Sequence, residues 1–184
     1  MRHPQLLKRE GTCLLVVDVQ ERLLPVIHEK EHLLKNIRRL TGGAKVLGLP
    51  VIVSEQYPKG LGPTVGPVAE TLEGADKGDK ITFSCMADKG LADKIARTSC
   101  DTLLICGIES HVCVLQTALD ALASGLKVHV AADAVSSRNP ENKRLALERL
   151  KDAGAVITST ESALFEMLVQ AGSAEFKKIS DLVK

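Results

Sequence analysis

A chain of 184 residues, 45% hydrophobic and 26% charged, has the size and composition of one globular domain with a substantial core. Its formal net charge of +1, with bases and acids interspersed, offers no basic block for nucleic acid, and an aromatic content of 2% leaves no stacking platform for single strands. The five cysteines, at positions 13, 85, 100, 106 and 113, are odd in number and lack CxxC spacing, which argues against a disulfide framework or a structural zinc site.

Thr12–Asp18 reads as a central parallel strand, apolar on both faces. Its apolar run, Cys13–Val17, is far short of a membrane span, and the N-terminus lacks the pattern of a signal peptide, so a cytoplasmic, membrane-free protein is expected. Leu33, Leu34, Ile37, Leu40, Ala44 and Leu47 then recur at helical spacing, and Gly48 stands where a left-handed cap belongs. Pro50–Ser54 is the second predicted strand. Residues 55–79, rich in Gly and Pro, read as a long functional loop, followed at Lys80–Ser84 by a short third strand or a strand-like turn.

Asp101–Cys106 is the fourth predicted strand, ended by Gly107, and Cys113–Ser124 a helix closed by Gly125. Leu126–Ala132 and Ala155–Thr158 are further strands around a helix at Glu141–Ala153. Thr158 and Glu161 have capping-box spacing for a last helix over about 161–171. The alternation of β-branched runs with amphipathic stretches predicts a single α/β domain over residues 1–184, in three layers with helices on both faces of a parallel sheet.

Ligands bind outside the carboxyl ends of the strands in such sheets. That rule brings together Asp18, Lys80 with Phe83-Ser84, and the segment Gly107-Ile-Glu-Ser-His-Val-Cys113. A cysteine at a helix N-terminus is expected to have a lowered thiol pKa, lowered further by a lysine, and so to be one rapidly alkylated thiol at neutral pH. A nearby carboxylate could accept its proton, and amides of the turn could hold an oxyanion. Against this, an arbitrary cysteine in an apolar helix is most often filler, Asp18 could be a helix cap, and a lone lysine is usually a surface charge. His111, two residues from Cys113, reads as a turn or pocket-wall residue.

The segments Leu15-Val-Val-Asp-Val-Gln20, Lys80-Ile-Thr-Phe-Ser84 and Gly107-Ile-Glu-Ser-His-Val-Cys113, with Val130-Ala-Ala-Asp-Ala-Val-Ser-Ser-Arg138, resemble the signature motifs of isochorismatase-like cysteine hydrolases, in order along nearly the whole chain. The resemblance implies an αβα sandwich, Rossmann-like, whose six-stranded, mainly parallel sheet has the order 3-2-1-4-5-6. It also implies an Asp18–Lys80–Cys113 triad, a thioester intermediate, an oxyanion hole from the amides of Glu109 and Cys113, and a cis peptide between Ile108 and Glu109. Gln20, Leu23, Tyr57, Phe83, Glu109 and Val112 are the expected substrate-binding residues, with Glu109 facing either an amine or solvent. Arg138 and Asp133 are either an internal pair or substrate contacts.

Nicotinamidases of this superfamily carry metal-binding histidines after the second strand, where this chain reads Ser54-Glu-Gln-Tyr57. No metal and no cofactor is therefore expected. Isochorismatases that cleave a vinyl ether generally lack the cysteine, so a small amide-type C–N bond is the expected target. Alternatives are vinyl-ether cleavage by Asp18 and Lys80 alone, or a non-catalytic, redox-responsive protein using Cys85 and Cys113. The stretch from Ser54 to Val65 is similar to the isochorismatase-domain-containing subgroup. The expected partner is a small-molecule substrate, with homo-oligomers common among such proteins.

Overall fold

In the computed structural model, which describes residues 2–184, six strands form one sheet in the order β3-β2-β1-β4-β5-β6 with every neighbouring pair parallel. The strands are β1 (Thr12–Val17), β2 (Val51–Gln56), β3 (Asp76–Lys80), β4 (Thr102–Ile108), β5 (Lys127–Ser136) and β6 (Val156–Thr158). The helices are α1 (Lys30–Leu47), α2 (Pro58–Leu61), α3 (Gly66–Ala69), α4 (Lys89–Arg97), α5 (Leu115–Ala123), α6 (Pro140–Asp152), α7 (Thr160–Leu168) and α8 (Ala174–Val183). Among the described residues, no helix is long and apolar enough to cross a membrane.

The three layers follow from side-chain alternation along the strands. Leu14 and Val16 of β1 join Leu104 and Cys106 of β4 under α1, α7 and α8, where Leu33, Ile37, Leu40, Leu164 and Ile179 are buried. Cys13, Leu15 and Val17 face the other way, with Leu103, Ile105, Val128 and Val130, onto Leu91 of α4, Ala118 of α5 and Leu150 of α6. A strand buried on both faces must read as a continuous apolar run, and all six residues of β1 are buried.

Several boundaries differ from the sequence expectation for physical reasons. The third strand is Asp76–Lys80, not Lys80–Ser84. It is an edge strand with three exposed residues, so its sequence, Asp-Lys-Gly-Asp-Lys, carries no apolar signal. The stretch 55–79 holds two short helices and most of this strand rather than one loop. Gly107 lies inside β4 rather than after it, and a π-helical turn, Ser110–Val114, precedes α5. The cap of α7 is Ser159, whose hydroxyl accepts from the Ser162 amide at 3.2 Å, in place of Thr158.

Candidate active site

Three chain segments reach one point at the carboxyl end of the sheet. β1 stops at Val17 because Asp18 takes a left-handed backbone conformation, φ 52°, which Asp tolerates better than a β-branched residue. The Asp18 amide still donates to Ser54 O at 3.1 Å, while the carboxylate turns inward. Its Oδ2 accepts from Lys80 Nζ at 2.7 Å and its Oδ1 from Ser54 Oγ at 2.7 Å. Both side chains of the ion pair have zero exposure.

Lys80 closes β3, and its ammonium is fully engaged. Besides Asp18 it donates to Gln56 Oε1 at 2.6 Å and to Thr82 O at 3.2 Å, which uses all three protons. Burial works against the ammonium, but the charge of Asp18 and the neighbouring thiols outweigh it and hold the pKa above the ordinary lysine value. Lys80 is thus an anchored cation with no donor to spare.

The third segment is the turn from β4 into α5. Gly107, at φ 117°, is required there: a Cβ would lie 2.1 Å from Val17 O, inside the β1 backbone. This close approach seats the following turn against Asp18. The Ile108–Glu109 peptide is cis, and the Glu109 carbonyl accepts from the amides of Val112 (3.1 Å) and Val114 (3.2 Å), skipping that of Cys113. Cys113 is only 7% exposed, and both Asp18 and Lys80 are near enough to act on its thiol.

The expected lowering of the Cys113 pKa is not found. Burial, and then the Asp18 carboxylate, push the thiol well above its usual value, and Lys80 offsets them only in part. Helix position cannot outweigh the loss of water and a nearby anion. At neutral pH Cys113 therefore rests as a thiol. The cysteine held low is Cys100, partly exposed, through its interaction with the neighbouring buried Cys13.

Two residues that the sequence reading did not single out complete the cluster: Ser54 on Asp18 and Gln56 on Lys80. Both lie on β2 near its carboxyl end, so the rule that picked Asp18 could have found them. Cys85 is also here, fully buried; its amide donates to Thr117 Oγ1 at 2.9 Å. Burial raises its pKa too. Removing the Ser54 hydroxyl leaves one oxygen of a buried carboxylate without its donor. Ser54→Ala is expected to cost about 1–3 kcal/mol, a fall in Tm of roughly 2–12 °C by thermal denaturation for a chain of this size.

The expected substrate contacts are spread more widely. Gln20 is buried and serves the adjoining loop: its Nε2 donates to Gln56 O (3.0 Å) and Gly62 O (2.7 Å), and its Oε1 accepts from Gln56 N (2.7 Å). Leu23 packs on the α1 side of the sheet, whereas Val112 packs beside Cys113. Tyr57 and Phe83 are about half exposed, at 51% and 54%. Tyr57 lines an open hollow of about 300 Å³ with Lys59, Asp79, Ile81 and the outer side of Lys80. The Glu109 carboxylate turns to Arg138 rather than to an amine or solvent, with Oε1 2.7 Å from Nη2. Burial opposes its charge, but Arg138 holds the carboxyl below the usual carboxylate range. Arg138 therefore does not pair with Asp133, whose carboxylate accepts from the Thr160 amide and hydroxyl. Larger hollows, about 560 Å³ beside Arg38 and Leu182 and about 580 Å³ beside Leu147 and Ile157, do not touch Asp18, Lys80 or Cys113. Among the described residues, no group of three or more His, Cys, Asp or Glu is arranged to hold a metal ion.

Residues 12–162 match the isochorismatase domain family. The secreted isochorismatase effector Isc1 of Phytophthora sojae is 41% identical over 95% of this chain and 85% of its own. Isochorismatase domain-containing protein 2 of Danio rerio is 36% identical over 96% of this chain and 89% of its own. The structure of the MAR1 ribonuclease from Caenorhabditis elegans superposes with a TM-score of 0.91 at 36% identity, covering 96% of this chain and 91% of that one.

Proposed function

The chain belongs to the isochorismatase family of hydrolases, and we propose that within it this protein is a metal-independent cysteine hydrolase of a small amide-type C–N bond. The observation that carries the reading is the place of Asp18, whose buried carboxylate holds the Lys80 ammonium and acts as an anion on the Cys113 thiol in a water-poor site.

Attack by Cys113 Sγ on the carbonyl carbon passes the thiol proton to Asp18 as the S–C bond forms. The amides of Glu109 and Cys113 receive the oxyanion, a contribution of about 2.7–4 kcal/mol per donor in a known case. Collapse breaks the C–N bond and Asp18 returns the proton to the leaving amine. Asp18 then deprotonates a water that attacks the thioester carbon, and the S–C bond breaks as the thiol recovers its proton. Lys80 keeps a positive charge beside both groups throughout, so neither the thiolate nor the carboxylate is left unpaired. A thiol that rests protonated suits this cycle, because its proton is the one the leaving amine needs. An amide offers the carbonyl carbon a thiol can attack; a vinyl ether does not.

A library of small amides, with an RNA oligonucleotide included because the C. elegans relative is named a ribonuclease, tests the reading by peptide-resolved intact mass. A quenched turnover mixture is expected to carry an acyl group on Cys113. Turnover that leaves no adduct, and that survives full alkylation of Cys113, would sink the thioester mechanism.

A further inference from the structure

The turn that carries Cys113 is held from outside by a second turn that the mechanism above does not use. After an irregularity between Ile105 and Gly107, the β4–β5 ladder resumes with Gly107 opposite Val135 and Ile108 opposite Ser136. That register lays Ser137 and Arg138 alongside Glu109–His111. The Arg138 amide donates to Glu109 Oε2 at 2.9 Å, Nε lies 3.2 and 3.1 Å from Oε1 and Oε2, and Nη2 donates to Oε1 at 2.7 Å. Two residues past Glu109 and one before Arg138, His111 Nδ1 is 2.9 Å from Ser137 Oγ. The bracing turn is itself fixed, since the His28 amide donates to Ser137 O at 3.1 Å and Ser136 Oγ donates to His28 O at 2.7 Å.

We propose that Arg138 is a positioning residue for the reaction: through the Glu109 carboxylate it fixes the Glu109 amide as an oxyanion donor beside Cys113. The inference rests on the thioester reading. The Glu109 side chain is 7% exposed while that of Arg138 is 62% exposed. A buried carboxylate that loses its cation cannot stay where it is, and its route to water turns the backbone it hangs from. The guanidinium is solvent-facing, so the stranded carboxylate has water beside it to turn toward. The damage falls on geometry.

Two reagents separate this role from a merely structural one. p-Nitrophenyl acetate acylates Cys113 through a tetrahedral oxyanion, forming the S–C bond and releasing nitrophenolate. Iodoacetamide alkylates the same sulfur with loss of iodide and forms no oxyanion. Arg138→Ala is expected to slow first-turnover acylation by about 10–100-fold, less than outright loss of an oxyanion donor because the amide is displaced and not deleted. Alkylation of Cys113, followed by peptide mass, should keep its wild-type rate. Arg138→Lys should fall between, since an ammonium cannot reproduce the fork on both carboxylate oxygens. Unchanged acylation in Arg138→Ala overturns the proposal. So does an equal change with both reagents, which means Arg138 acts on the fold alone. So does a rise in KM at constant kcat, which makes Arg138 a substrate contact. Cys113→Ala run beside it distinguishes the two levels: if it releases nitrophenolate as fast as wild type, the thioester reading falls and takes Arg138 with it. If it is inert while Arg138→Ala acylates normally, only the role of Arg138 falls.

Discussion

Asp18→Asn is expected to cut turnover by roughly 10³-fold or more, as loss of a triad member does elsewhere, and yet to make Cys113 easier to alkylate at neutral pH. The two effects have opposite signs because Asp18 does two things. In the proposed cycle it is the proton acceptor: an amide cannot take the thiol proton or return it to a leaving amine. As an anion it holds the thiol protonated by repelling a thiolate. Asparagine keeps an oxygen for Lys80 and removes the charge, leaving the ammonium to favour the thiolate. Burial still raises the Cys113 pKa, so the alkylation profile moves down in pH only part of the way. Cys113→Ala should lose comparable activity and the alkylation site together. Rates must be read peptide by peptide, because the partly exposed Cys100 is the readier thiol in bulk. If Asp18→Asn alkylates Cys113 more slowly than wild type at neutral pH, the carboxylate is not what holds the thiol protonated.

The parts of this site that were legible in the sequence are those that obey a positional rule. Asp18, Lys80 and Cys113 each stand at or just past the carboxyl end of a strand, and the parallel pairing follows from the alternation of apolar runs with helical stretches, whereas the strand order was implied by the family resemblance. What was hidden depends on neighbours. Edge strand β3 has no apolar pattern, so Lys80 was placed at the start of a strand it ends. α4 buries only Leu91 and Ile95, too few to announce a helix. The direction of the Cys113 pKa could not be read from a helix start, because it is set by burial and by an anion brought from a different strand. The same holds for Glu109. Nothing in a turn sequence says that its carboxylate is claimed by a residue 29 positions further on.

Lys80→Met is expected to lower stability by about 3–5 kcal/mol, the usual cost of leaving one charge of a buried pair without its partner. For a domain of this size that is a fall in Tm of roughly 6–20 °C, measured by thermal and urea denaturation. The cost arises on Asp18. Its carboxylate has zero exposure, and without the ammonium only the Ser54 hydroxyl remains to satisfy it. The partner test is Asp18→Leu combined with Lys80→Met, which removes both charges and refills their volume. The double variant should recover most of the loss, though not all, because Ser54 Oγ and Gln56 Oε1 each lose a bond that no apolar side chain replaces. The sign with pH is also fixed. Lys80 is held above its unfolded pKa, so the pair's contribution is fully present below the ordinary lysine value and fades only as pH climbs through the raised one. Stability curves of wild type and Lys80→Met should therefore run apart by a constant amount through neutral pH and converge only in strongly alkaline solution. A gap under about 1 kcal/mol at neutral pH would instead mean that the pair behaves as a solvated surface contact, and the dry site on which the proton cycle depends would not exist.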